Sequence, residues 1–191
     1  MSLDRVPAGK DGLRIVGVSK TATILDPSPD SRTGFALLGV GLTIQSDNVQ
    51  VRNFTIRNGE THQLVVSGNN TLIQYMRFIA AGGMCINVGA FSGTQILNNE
   101  FRSAGSFAVV AGSAPQTTVR SNLIQTCDAG CIYIWGANAT VSTNTIYQSE
   151  DGSAIELGGD NAVVSANFIS GTDASGINII GNNASVTANK I

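Results

Sequence analysis

One motif recurs down the second half of the chain. Val119-Arg120-Ser121-Asn122-Leu123-Ile124 returns as Val141-Ser142-Thr143-Asn144-Thr145-Ile146, then as Val164-Ser165-Ala166-Asn167-Phe168-Ile169, and finally as Val186-Thr187-Ala188-Asn189-Lys190-Ile191. The frame is V-x-x-N-x-[IL], spaced by 22 or 23 residues. A fixed period of this size implies a solenoid, in which each repeat buries its apolar side only against the repeats before and after it.

The rest of each period supports strands. From Leu42 onward a short segment carries two apolar residues two apart: Leu42/Ile44, Leu64/Val66, Ile86/Val88, Ala108/Val110, Ile132/Ile134, Ile155/Leu157 and Ile177/Ile179. Alternation of this kind marks a strand with one buried face. A second apolar element follows each one: Val51/Ile56, Ile73/Phe78, Ile96/Phe101, Val119/Ile124, Val141/Ile146, Val164/Ile169 and Val186/Ile191. No helical period of 3.6 residues is present. Strands this short cannot pair within their own coil. They pair in parallel with the equivalent strand one coil on, which gives an all-β fold, a parallel β-helix rising about 4.8 Å per coil.

The reading is a single domain over 1–191, with regular coils from 42 to 191 and an irregular opening coil over 1–41. Residues 1–12 are polar and unpatterned. Leu13 to Val18 and Thr21 to Leu25 read as two short strands around a turn. Pro27 and Pro29 open a loop that runs through Asp30 and Arg32, and Phe35 to Leu38 is a further apolar run.

Composition agrees with many short strands and tight turns. Charged residues make up only 13 % of the chain and Gly contributes 22 residues, against a usual charged share of about 25 %. The net charge of −2 offers no basic field, so a nucleic-acid partner has no electrostatic support. No apolar run reaches the length of a membrane span, so no membrane partner is expected. Met1-Ser2-Leu3 lacks the basic and apolar regions of a secretory signal. If the protein is exported, its signal lies outside this stretch.

Cys85 and Cys131 fall at the same repeat position two coils apart, roughly 10 Å by strand spacing, too far for a disulfide. Cys127 and Cys131 could bridge locally, but free, partly buried thiols are the expectation. The C-x₃-C spacing does not make a zinc pair, and His62 is distant in sequence. N-x-[ST] sequences at Asn53, Asn69, Asn138 and Asn183 are expected by chance in a chain this rich in Asn and Thr.

Asn99, Asn122, Asn144, Asn167 and Asn189 hold the fourth place of the frame, where earlier coils carry Phe54 and Met76. Stacked amides at a bend can donate and accept along the column.

The frame V-x-x-N-x-I followed by G-x-x-x-[GC]-I-x-I resembles the right-handed parallel β-helix repeats of the pectate-lyase-like superfamily, over roughly Leu13 to Ile191. The stretch from Ile15 to Asp26 also looks like the first coils of such proteins. The resemblance implies a right-handed, single-stranded coil. It spans polysaccharide lyases, glycoside hydrolases, esterases, epimerases, phage tailspikes and adhesins, so it implies a fold rather than one activity. Members are usually longer, with a helical cap and long loops walling a cleft. Here no amphipathic cap is visible and the chain stops in mid-coil, as expected of a fragment or a minimal member. Open ends expose strand edges, so a flanking segment, end-to-end contact or side-by-side self-association is expected.

Three outward groups could carry chemistry. One column reads Thr43, Val65, Asn87, Val109, Tyr133, Glu156, Asn178, and its neighbour reads Gln45, Ser67, Gly89, Ala111, Trp135, Gly158, Ile180. Tyr133 and Trp135 point the same way on one coil. Exposed rings suit the apolar faces of sugars, and Asn87 and Glu156 suit hydroxyls; equally, the rings could simply cover the sheet.

The turn before the same strand carries Asp128, Asp151 and Asp173 on three successive coils, with Glu150 beside the second. Neighbouring carboxylates can be split into acid and base, at separations that glycoside hydrolysis uses. They could also hold Ca²⁺ through oxygen ligands, or merely cap the turns. No cofactor is required by this reading.

The third group is basic. Arg57 and Arg102 share a repeat position, and Arg77 stands one place earlier, opposite Glu100. Such arginines could grip uronate carboxylates, or serve as solvated edge charges. Lys190 is the one lysine of the regular coils, which argues against a lysine-based lyase. His62 has no evident partner in the repeat frame.

Two functional classes follow. One is a carbohydrate-binding or polysaccharide-processing β-helix, hydrolase more readily than lyase, acting on an extracellular glycan. The other is a non-catalytic structural or adhesive rod from a larger surface or phage protein. Both place the chain outside the cell or on its surface.

Overall fold

The computed structural model describes residues 5–27 and 39–191. The loop from Pro29 through Arg32 and the Phe35 to Leu38 run lie outside the described residues. The chain is a β-solenoid built from parallel sheets, two of eight strands and one of seven. Each coil contributes one strand to each sheet in turn, so every neighbour in a sheet is the equivalent strand of the next coil.

The registers follow the repeat. On the first sheet Leu42 pairs with Leu64, Leu64 with Ile86, Ile132 with Ile155 and Ile155 with Ile177. On the second, Val119, Val141, Val164 and Val186 stack. On the third, Phe78, Phe101, Ile124, Ile146 and Ile169 stack. These inward side chains form one continuous core along the axis. Val186, in register with the buried Val164, is exposed on the last coil.

The second apolar element of each coil is not one strand but two, on different sheets. Thr140–Ser142 and Thr145–Ser149, for example, flank a sharp corner. The corner is made by one left-handed residue immediately before the frame's fourth position: Asn53, Tyr75, Asn98, Ser121, Thr143, Ala166 and Ala188, all with φ between 53° and 65°. The amide behind that residue ties the corner to the next coil. Asn122 Oδ1 accepts from Asn99 N–H and Nδ2, and the same pair of bonds links Asn122 to Asn144, Asn144 to Asn167 and Asn167 to Asn189. Each of these Nδ2 groups also donates to a backbone carbonyl, as Asn144 does to Val119 O at 2.9 Å. Those bends therefore bury polar backbone without leaving it unpaired.

Two expectations need correction here. Residues 1–12 are not without pattern: Arg5–Val6 is a strand that pairs with Thr43 and Ile44. One coil is also shifted by a residue. Ile86 pairs with Val109 and Val88 with Ala111, so Val109 and Ala111 take the inward places expected of Ala108 and Val110; Val110 turns outward, and Ala108 stays buried in the column of Cys85 and Cys131. A one-residue shift exchanges the two faces of a strand. Val110 and Gly112 therefore occupy the outward columns where Val109 and Ala111 were expected.

Candidate functional site

The outer face of the first sheet carries an aromatic surface. Ile132 and Ile134 point into the core, so Tyr133 and Trp135 point out. Tyr133 is half-buried and Trp135 is 44 % exposed. The Tyr133 ring lies 5.9 Å from Trp135 and 5.4 Å from Phe107, centre to centre. Phe107 was not singled out from the sequence.

Two glycines seat these rings. A Cβ at Gly158, on the next coil, would meet the indole atoms Cδ2, Cε2 and Cε3, the last two at 2.7 Å. The indole thus lies against bare backbone with its other side turned outward. A Cβ at Gly130 would likewise meet Phe107 Cε1 at 2.8 Å.

Glu156 pairs in register with Tyr133 and then with Asn178. It is half-buried and accepts a hydrogen bond from Asn178 Nδ2 at 3.3 Å. Asn87 lies further back on the same face and is already engaged: its Nδ2 is 3.2 Å from His62 Nε2. His62 therefore does have a partner, contrary to expectation. Burial lowers its pKa, which favours the neutral ring that can accept this bond.

The acidic turn is a corner between the third sheet and the first. Cys127 and Ser149 are bridged, and Ser149 pairs with Thr172. The turn 150–154 is one residue longer than 128–131 and 173–176. Counted from the strand before it, Glu150 matches Asp128 and Asp173; counted from the strand after it, Asp151 does. Backbone bonds hold the coils together there: Asp151 N–H donates to Asp128 O at 3.1 Å, and Asp173 N–H to Ser149 O at 3.0 Å. Asp128, Glu150, Asp151 and Asp173 are all exposed. Among the described residues no group of three or more His, Cys, Asp or Glu is placed to hold a metal ion.

Cys127 and Cys131 form a disulfide, which corrects the expectation of free thiols. They stand at the two ends of the tight corner that carries Asp128, both turned inward and fully buried, with Cα atoms 5.5 Å apart. That separation is within the range a disulfide spans. Cys85 is free and buried. It lies two coils from Cys131 in the same column, as its spacing predicts.

The arginines do not gather at this face. Arg57, Arg77 and Arg102 lie on the third sheet, and each is paired with a carboxylate. Arg57 Nε is 2.6 Å from Asp26 Oδ2, Arg77 Nε is 2.8 Å from Glu100 Oε2, and Arg102 pairs with the other oxygen of Glu100. Glu100 is 12 % exposed at its side chain. Burial by itself would raise its pKa, but the hydrogen bonds and charges of Arg77 and Arg102 outweigh it and hold the carboxyl below its usual value. These arginines are occupied, so a uronate would have to displace a protein carboxylate to reach them.

An apolar cleft at the opening coil, lined by Ile15, Val16, Ile24, Leu25, Leu42 and Phe54, lies several coils from the aromatic face.

The right handed beta helix region family matches residues 30–146 and, in an overlapping second match, 84–191. The chain belongs to that family. No curated protein and no solved structure matches it.

Proposed function

We propose that this protein is a carbohydrate-binding β-helix whose contact surface is the outer face of the first sheet, centred on Tyr133 and Trp135 with Glu156 at its edge. The observation that carries this reading is the indole of Trp135 lying against Gly158. An exposed ring held flat on a sheet presents a rigid apolar plate, which suits the apolar face of a sugar at little entropic cost. Glu156 and Asn178 supply the acceptor and donor that hydroxyls need. The Cys127–Cys131 disulfide supports an extracellular or cell-surface location.

Hydrolysis by the corner carboxylates is the second reading. Its support is that Asp128, Asp151 and Asp173 lie on successive coils, about 4.8 Å per step, near the separations that glycoside hydrolysis uses. Against it, the four acids project from a convex, solvated corner, where water is not excluded from a reacting bond.

The experiment is a binding screen against neutral, acidic and amino polysaccharides, with product analysis for new reducing ends. Trp135→Ala should abolish binding, and Tyr147→Ala, which removes an exposed ring on the third sheet, should not. Equal effects of the two substitutions would overturn the proposed surface. Reducing ends that vanish in Asp151→Asn/Asp173→Asn would establish the hydrolytic reading instead. Absence of binding to every glycan would favour a structural or adhesive rod.

A further inference from the structure

We infer that the aromatic face selects a cationic amino sugar chain, of the unacetylated glucosamine type, over neutral and uronic glycans. This rests on the carbohydrate reading above and adds the charge of the ligand to it.

The first observation is a division of charge along the rod. Residues 121–189 contain Asp128, Glu150, Asp151, Glu156, Asp160 and Asp173 and no Lys or Arg. The two basic residues that bound this stretch do not serve the face. Arg120 ends a strand of the second sheet, and the Lys190 ammonium sits over the Phe168 ring, 5.5 Å from its centre, on the third. Among the described residues every ion pair lies on the third sheet, at Arg57, Arg77 and Arg102. The carboxylates beside the aromatic face therefore act on a ligand without internal neutralisation.

The second observation is where one of those carboxylates stands. Glu156 is the register partner of Tyr133, one strand spacing away, and flanks the ring pair directly. Asn178 holds it by one hydrogen bond and brings no charge. A sugar lying on Trp135 would have an amine within reach of this carboxylate.

The third is the chemistry of the rings. The faces of Trp and Tyr carry negative quadrupole potential, so an ammonium close to them gains a cation–π term that a hydroxyl does not. The corner acids are not the binding site; they set the sign of the field around it, and that field repels a uronate.

The test is calorimetric titration of the intact chain at about pH 5.5, where amines are protonated and carboxylates ionised, and at low and high salt. The ligands are a glucosamine hexamer, cellohexaose, an oligogalacturonate and hexalysine. The glucosamine hexamer should bind about ten-fold more tightly than cellohexaose, a preference that salt reduces. The oligogalacturonate should bind weakest. Glu156→Gln, which removes the charge but keeps an acceptor, should lower affinity for the glucosamine hexamer by a several-fold larger factor than affinity for cellohexaose, and Trp135→Ala should remove both.

Equal affinity for the glucosamine hexamer and cellohexaose, both lost in Trp135→Ala, would overturn the charge selection and leave the carbohydrate reading standing. Failure of all three glycans to bind would overturn both. Hexalysine binding as tightly as the glucosamine hexamer, unaffected by Trp135→Ala, would overturn the sugar assignment in favour of charge alone.

Discussion

Asn144 Oδ1 accepts two hydrogen bonds from Asn122, one from its backbone N–H and one from its Nδ2, each at 3.0 Å. Both residues are buried, so neither water nor another side chain can take over these bonds. Asn144→Leu should leave Asn122 N–H unpaired in the interior and remove the side-chain bond to Val119 O, at a cost of about 2 kcal/mol. Urea unfolding would read this as a lower midpoint at constant slope. A midpoint equal to that of the parent would mean the amide column does not support the corner.

The left-handed residue at the same corner offers a gain. Ala166 has φ of 55° and is exposed. An L-residue with an ordinary side chain pays about 1–2 kcal/mol there, whereas Asn tolerates this region. Asn already occupies the equivalent position at Asn53 and Asn98. Ala166→Asn should raise the melting temperature by a few degrees, a gain of up to about 1 kcal/mol, and Ala166→Val should lower it. The opposite order in a thermal melt would show that the corner does not constrain φ.

Cys85 gives the protein a pH signature. Its thiol is completely buried, and burial raises its pKa well above the ordinary thiol range. The folded state thus keeps a proton that the unfolded chain releases above about pH 8.5. Below that pH the contribution is whole. Above it, stability should fall by about 1.4 kcal/mol per pH unit as pH rises toward the folded-state value. Urea midpoints between pH 8 and pH 10, parent against Cys85→Ala, isolate this thiol from other groups. The parent should lose stability more steeply; parallel lines would mean the thiol is accessible when folded.

Much of this was legible because the repeat carries its own register. Leu42, Leu64 and Ile86 each alternate with a polar or smaller neighbour, and their stacking follows directly. The reading slipped at Val109 because residues 107–111, Phe-Ala-Val-Val-Ala, are all apolar. Alternation there has no polar tooth to fix which residues face in. The bend at the Asn column was legible, but the left-handed residue that makes it was not, for a different reason. Ser121, Thr143 and Ala166 are not the residue types that announce positive φ; the constraint comes from the Asn column behind them and from the neighbouring coils. The disulfide escaped because two cysteines four apart say nothing of their direction until the corner between them is formed. At the site, Tyr133, Trp135 and Glu156 were visible as columns. Phe107 was not, since its place depends on Gly130 one coil on.

The acid limit should be set in part by Glu100. Arg77 and Arg102 hold its carboxyl below the usual value in the folded state. A depressed carboxylate contributes stability that is present above about pH 4.3 and lost as pH falls through the folded-state value. Glu100→Gln should therefore be less stable than the parent at pH 6, and the gap should close toward pH 3. Measured by urea midpoints, a gap that is constant with pH would assign the effect to packing rather than to the charge pair.

The seat of Trp135 can be tested without any ligand. Trp135 is the only Trp in the chain, so emission reports its surroundings alone. Gly158→Ala would place a methyl among Cδ2, Cε2 and Cε3 of the indole, with Cε2 and Cε3 at 2.7 Å, closer than any real contact allows. The ring is at the surface and can lift, so the fold should survive and the emission should shift to the red as water reaches the inner face. Gly112 stands in the same outward column one coil before Trp135, and a Cβ there meets nothing within 4 Å. Gly112→Ala should leave the emission unchanged. If the glycan reading holds, Gly158→Ala also weakens binding while Gly112→Ala does not, because a tilted indole no longer offers a plate parallel to the sheet. Identical emission in the parent and in Gly158→Ala would show that the indole does not rest on that glycine in solution.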